Sequence, residues 1–102
     1  MKAIVITALG GPDVLQLQDV AEPVAKAGHV VVRIAASAVN RADTYQRHGT
    51  HPVPQGWPPY PGLECSGTIE SVAEDVHHWK VGDQVSCVHY TTTVYSLCET
   101  YR

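Results

Sequence analysis

No stretch of this chain approaches the ~20 consecutive apolar residues that a membrane-spanning helix requires. The opening Met1-Lys2-Ala3-Ile4-Val5-Ile6 lacks the long apolar region and small-residue cleavage site of a secretion signal. Positive charge is scarce too: Lys and Arg number 7 against 10 Asp and Glu, a formal charge of −3. They are scattered, which excludes the dense basic face that binds nucleic acid or anionic lipid. There are 3 cysteines, Cys65, Cys87 and Cys98, an odd number at wide spacing. Neither a disulfide framework nor a C-x-x-C pair is present. These absences lead to the expectation of a soluble protein in a reducing compartment, most simply cytoplasmic. Internal repeats and low-complexity linkers are missing as well, and 102 residues are enough for one domain.

What is there reads mostly as β structure. Apolar residues make up 44% of the chain, so a core can form, although a domain of this size buries only about two-thirds of its unfolded surface. Lys2 to Thr7 is a strand candidate ended by Gly10-Gly11-Pro12, a strong turn signal. Val14 to Val20 alternates in part and reads as the returning strand. Pro23 and Gly28 bracket a loop. His29 to Val39 is β-branched at first and long enough to bury both faces.

The run Asn40-Arg41-Ala42-Asp43-Thr44-Tyr45-Gln46-Arg47-His48-Gly49 predicts one short helix, near residues 40–48. Asn40 is a favourable N-cap, Asp43 stands three residues on, and Gly49 is well placed as the C′ residue. Arg47 and His48 fall in the last turn, where positive charge suits the helix dipole. At about 12 Å the helix is too short to be stable alone, so packing must hold it. By themselves Asn40 and Asp43 read as a cap and its partner, and Tyr45 as a packing residue.

Five of the 7 prolines fall between His51 and Pro61, which forbids regular structure there. They lack the P-x-x-P spacing with basic flanks of a polyproline ligand. Cys65 to Glu74 predicts a further strand, with Cys65 a buried small residue rather than a reactive thiol. His77, His78 and Trp79 fall on a loop before the tight turn at Val81-Gly82-Asp83, which feeds another strand. The histidines, chiefly His48 with His51 and the adjacent pair His77 and His78, have no suitably spaced carboxylate or thiol. No metal site is expected. The tail from Ser86 to Arg102 is rich in Thr, Val and Tyr, with a weak strand pattern.

Four motifs stand in order: Gly10-Gly11-Pro12-x-Val14-Leu15, Asn40-Arg41-Ala42-Asp43, Pro61-Gly62-Leu63-Glu64-Cys65-Ser66-Gly67 and Val81-Gly82-Asp83-Gln84-Val85. Together they make residues 1–85 resemble the N-terminal catalytic part of the zinc-independent, zeta-crystallin-like quinone oxidoreductases of the medium-chain dehydrogenase/reductase superfamily. The resemblance implies a GroES-like partial barrel, normally succeeded by a Rossmann domain that binds NADPH. It implies hydride transfer from NADPH to a quinone or another conjugated carbonyl, in a cleft between the two domains. By position, Asn40, Arg41 and Tyr45 match the residues that face nicotinamide and substrate, with Asn40 and Tyr45 the catalytic candidates. A cap and an active-site role are compatible at Asn40, because the cap fixes where its side chain sits.

The similar zinc-dependent alcohol dehydrogenases have a Cys where Asn40 stands and a His where Leu63 stands. A catalytic zinc needs three protein ligands and an open fourth position. Leu63 has no donor, an Asn amide is a poor substitute for thiolate, and Cys65 sits one residue too late after Glu64. The four-Cys structural lobe is missing. Carbonyl polarisation would then fall to hydrogen-bond donors, here the Asn40 amide and Tyr45 hydroxyl.

Two departures qualify the resemblance. Where relatives often carry a Tyr after the helix, this chain has His51, a substrate-side candidate that can still donate a hydrogen bond. Beyond Val85 the expected Gly-rich turn is replaced by Ser86 to Arg102. No Gly occurs after Gly82, so no G-x-G-x-x-G fingerprint lies in that stretch. The expectation is an incomplete GroES-like domain at 1–85 with a divergent tail at 86–102, a truncated product without the Rossmann domain. It should expose apolar strand edges and be inactive alone. The competing expectation is a non-catalytic truncated isoform or interaction module that binds a full-length homologue or another protein.

Overall fold

A computed structural model describes residues 1–52, 55, 60–88 and 97–99. Strands β1 (Lys2–Ile6) and β2 (Leu15–Asp19) form an antiparallel hairpin in which Ile4 faces Leu17. The Gly10-Gly11-Pro12 signal becomes a single 3-10 turn at Pro12–Val14. Thr7 closes it, donating both its N–H (2.9 Å) and its hydroxyl (3.0 Å) to the Val14 carbonyl. At the open end the Met1 ammonium donates to the Val20 carbonyl at 2.7 Å, and Lys2 pairs with Asp19 at 3.1 Å. Every β2 residue is exposed, and Ala3 alone of β1 is buried.

The second sheet is antiparallel throughout and runs β5-β4-β3-β6, from β3 (His29–Ala36), β4 (Glu64–Val72), β5 (Gln84–Val88) and β6 (Leu97–Glu99). Val30 and Val32 pack on one face with Cys65, Ile69 and Val76, flanked by Val72, Trp79 and Val85. Burial of a side chain such as Ile69 stabilises by about 1.5–3 kcal/mol. Val31 is buried on the other face. There it joins Ala3 and Leu17 in lining a cleft of ≈ 720 Å³ shared by the hairpin and the sheet. The burial of both faces expected for His29–Val39 therefore holds only for Val30–Val32. Arg33 to Ala36 are exposed, and 37–39 leave the ladder.

Two register shifts explain where the simple alternation fails. Val31 pairs with Ser71 but Val32 with Ile69, leaving Glu70 unopposed; it forms an ion pair with Arg33 instead. Between Ile34–Gly67 and Ala36–Ser66 the extra residue is Ala35. Such bulges bend a strand and re-aim the side chains beyond them. Gly67 lies beside this second bulge. A Cβ there would sit 2.1 Å from the Arg33 carbonyl oxygen, so the last glycine of Pro61-Gly62-Leu63-Glu64-Cys65-Ser66-Gly67 is required by backbone approach.

Among the described residues the class is mostly β with one short α-helix, α1 (Arg41–His48). The loop carrying His77, His78 and Trp79 and the turn at Val81–Gly82 fall where the sequence predicts them. The strand β5 crosses residues 85 and 86, and β6 pairs with β3 from within the tail. The expected weak strand pattern over 89–96 and 100–102, and most of the proline-rich run, lie outside the described residues.

Candidate functional site

The helix α1 has almost no apolar stripe, so its position depends on polar contacts. Asn40 is the N-cap, in an extended conformation. One oxygen of the Asp43 carboxylate accepts the Asn40 N–H at 2.7 Å, as the capping box requires. Its other oxygen accepts the Gly62 N–H at 2.9 Å, which ties the helix start to the segment entering β4. Gln46 is 3% exposed, and its Nε2 donates to the Tyr60 carbonyl at 3.3 Å. The Gly10 N–H donates to the Arg47 carbonyl at 3.1 Å and joins the hairpin turn to the last helical turn.

Gly49 ends the helix at φ 83, the left-handed C′ position expected of it. The Tyr45 carbonyl accepts the N–H groups of Thr50 (3.0 Å) and His51 (3.3 Å) and the Thr50 hydroxyl (3.2 Å). His51 is exposed, and its backbone is thereby fixed under the helix.

At 100° per residue, Arg41, Tyr45 and His48 share one face, Ala42 and Gln46 a second, and Asp43 and Arg47 a third. The first face is exposed. Arg41 Nε donates to the Tyr45 hydroxyl at 3.0 Å. The guanidinium carbon is 5.9 Å from the ring centroid, at the outer limit of a cation–π contact, so the edge hydrogen bond dominates. Tyr45 is 45% exposed. Asn40 is half-buried, and its Nδ2 reaches the Ala38 carbonyl only at 3.5 Å, a long contact that leaves the amide able to turn to a ligand.

Arg41 and Tyr45 thus share the exposed face, with Asn40 at the start of the helix and the backbone of His51 bonded beyond its end. On the third helix face, Asp43, Thr44 and Arg47 line a separate groove of ≈ 550 Å³ with Ile4 and Leu15 of the hairpin. Sequence reasoning identified the cap but missed the second bond of Asp43 and the burial of Gln46. The signal was the missing apolar stripe itself: a helix that must be held by packing, yet offers no apolar face, has to be held by its polar residues.

A dinucleotide pyrophosphate needs unsatisfied N–H groups at a helix N-terminus after a parallel strand. Among the described residues α1 is the one α-helix, its N-terminus already holds the Asp43 carboxylate, and every strand pair is antiparallel. These residues do not fit the pyrophosphate. Among the described residues no three His, Cys, Asp or Glu side chains gather as a metal site.

Residues 26–102 match the alcohol dehydrogenase GroES-like domain. A quinone oxidoreductase of Sus scrofa is 44% identical over 89 residues, covering 86% of this chain and 27% of its own length. The solved quinone oxidoreductase of Pseudomonas syringae superposes with a TM-score of 0.79 at 32% identity, over 98% of this chain and 33% of that one. The Escherichia coli quinone oxidoreductase, solved complexed with NADPH, gives a TM-score of 0.79 at 29% identity, over 96% of this chain and 30% of that one. This chain spans well under half the length of each.

Proposed function

Since this chain belongs to the alcohol dehydrogenase GroES-like domain family, we propose that it supplies the acceptor side of a zinc-independent quinone oxidoreductase, passing hydride from NADPH to a quinone or another conjugated carbonyl. The carrying observation is the 3.0 Å hydrogen bond from Arg41 Nε to the Tyr45 hydroxyl on the exposed face of a latched helix. A phenol that accepts from a guanidinium is polarised toward donation. Its own O–H is then aimed at the carbonyl oxygen, where negative charge develops. The Asn40 backbone is held by the Asp43 carboxylate, and its amide side chain turns to orient the carboxamide of the nicotinamide. NADPH, when bound, supplies the hydride. Its pyrophosphate would be held by the part of the relatives' length that this chain does not span. Leu63 and Asn40 in the places of zinc ligands support a reaction that relies on these donors.

Joining this chain to the remaining length of the Sus scrofa relative and monitoring quinone-dependent NADPH oxidation tests the reading. Turnover is expected, falling about 100-fold in Tyr45→Phe or Asn40→Ala. Unchanged rates in both variants would refute it. The 102-residue chain alone should show no saturable NADPH binding, and micromolar binding would contradict the placing of the pyrophosphate outside these residues.

A second reading, association with a full-length homologue, is favoured by exposed apolar side chains such as Leu17, Val24 and Val39. Co-elution with a purified homologue in size-exclusion chromatography would support it, and separate elution would exclude it.

A further inference from the structure

Cys65 in β4 and Cys87 in β5 lie directly opposite each other. Their Sγ atoms are 3.3 Å apart. Opposed Cα atoms in an antiparallel pair are ~4.5–5.5 Å apart, inside the ~4.4–6.8 Å range that a disulfide accepts. Bond formation requires the sulfurs to close by about 1.3 Å, within the reach of side-chain rotation alone. Cys65 is buried, whereas Cys87 is partly exposed. Both line a groove of ≈ 400 Å³ with Ala36, Ser37, Ala38 and Val88, which gives a small molecule access to the pair. Cys98 is elsewhere. It lies opposite Val30 in β6, and β3 stands between that strand and β4. Of the 3 cysteines, the fold brings together two and separates the third.

We propose that Cys65 and Cys87 form a reversible dithiol–disulfide site that reacts with small-molecule disulfides of the glutathione type. The thiolate of Cys87, the more accessible, attacks one sulfur of the oxidant. That sulfur–sulfur bond breaks, one glutathione thiolate leaves, and a mixed disulfide forms on Cys87. The Cys65 thiolate then attacks Cys87 Sγ and expels the second glutathione. The two protons lost by the cysteines end on the two departing thiols. The chain is oxidised by two electrons and the oxidant is reduced by two. The product links β5 to β4 across the groove beside residues 36–38, which lead into the Asn40 cap.

The test equilibrates the 102-residue chain with graded ratios of reduced to oxidised glutathione, then applies acid quenching, alkylation and peptide mass spectrometry. In wild type and in Cys98→Ser, two alkylatable thiols should disappear together, with a mass loss of about 2 Da and no retained glutathione. The cross-linked peptide should join Cys65 to Cys87. The native chain should reach its midpoint at a glutathione ratio about 10-fold more reducing than the same chain in concentrated urea, because folding pre-aligns the thiols. Cys87→Ser combined with Cys98→Ser should hold at most one glutathione, on Cys65. A cross-link to Cys98, a stable adduct on Cys87 without the 65–87 link, or equal midpoints in folded and unfolded chain would each overturn the proposal. The wild-type and Cys98→Ser readouts stand even where the other cysteine variants fail to fold.

Discussion

Val30, Val32 and Ile69 in the four-stranded sheet are each 1% exposed, whereas Leu17 in the hairpin is 63% exposed. Both regions are antiparallel and both carry β-branched or leucine side chains, but they are held by different forces. The sheet buries a cluster around Val30, Val32 and Ile69, and its stability is apolar. The hairpin and the helix corner are held by hydrogen bonds: Gly10 to Arg47, Asp43 to Asn40 and Gly62, and Gln46 to Tyr60. An isolated two-stranded hairpin is marginal in water. The difference separates a platform from the candidate site mounted on it, so substitutions should affect one without the other.

The largest effect is expected in the platform. Ile69→Ala should cost about 4 kcal/mol by removing the side chain at the centre of the cluster, read as a lower urea midpoint. Gly67→Ala should cost about 3 kcal/mol, because its Cβ would meet the Arg33 carbonyl rather than a flexible side chain. A midpoint near wild type would show that the β3–β4 contact yields readily to an added methyl group.

In the corner the effects are smaller and local. Asp43→Ala removes two acceptors at once and should cost about 2 kcal/mol, seen as loss of helical ellipticity before the sheet unfolds. Leu17→Ala should change stability by less than about 0.5 kcal/mol, as expected of an exposed side chain. A larger loss would mean that the hairpin shares the core.

The smallest effect concerns pH. Hydrogen bonds from the Lys80 ammonium (3.0 Å) and the Lys80 backbone N–H (3.1 Å) hold the Asp83 carboxyl below its ordinary value of 3.8. The folded chain therefore binds this proton less readily than the unfolded one. The stabilisation is complete above 3.8 and is lost as pH falls from there through the folded value. Asp83→Asn should flatten this acid limb by slightly lowering stability at neutral pH, and leave stability below the folded value nearly unchanged.

Much of this division was legible in the residues. Asn40, Asp43 and Gly49 specify a capped helix by local chemistry alone, and the β-branched run after His29 specifies a buried strand. The ends of the strands were less legible, because the bulges at Ala35 and Glu70 arise from pairing with a distant strand. The sheet contact that requires Gly67, the buried Gln46 and the Gly62 bond to Asp43 are likewise long-range. The juxtaposition of Cys65 and Cys87 has no local signal either, since 22 residues separate them. At the candidate site the sequence motif named Asn40, Arg41 and Tyr45, but only the fold brings Arg41 Nε onto the Tyr45 hydroxyl.

Amide hydrogen exchange in wild type and Asp43→Ala tests most directly whether hydrogen bonds hold the candidate site on an independently stable sheet. The Asn40 and Gly62 amides should exchange about 10-fold faster or more in the variant, while those of Val30, Val32 and Ile69 keep their wild-type protection. Equal acceleration at Ile69 and Gly62, or none at Gly62, would contradict it.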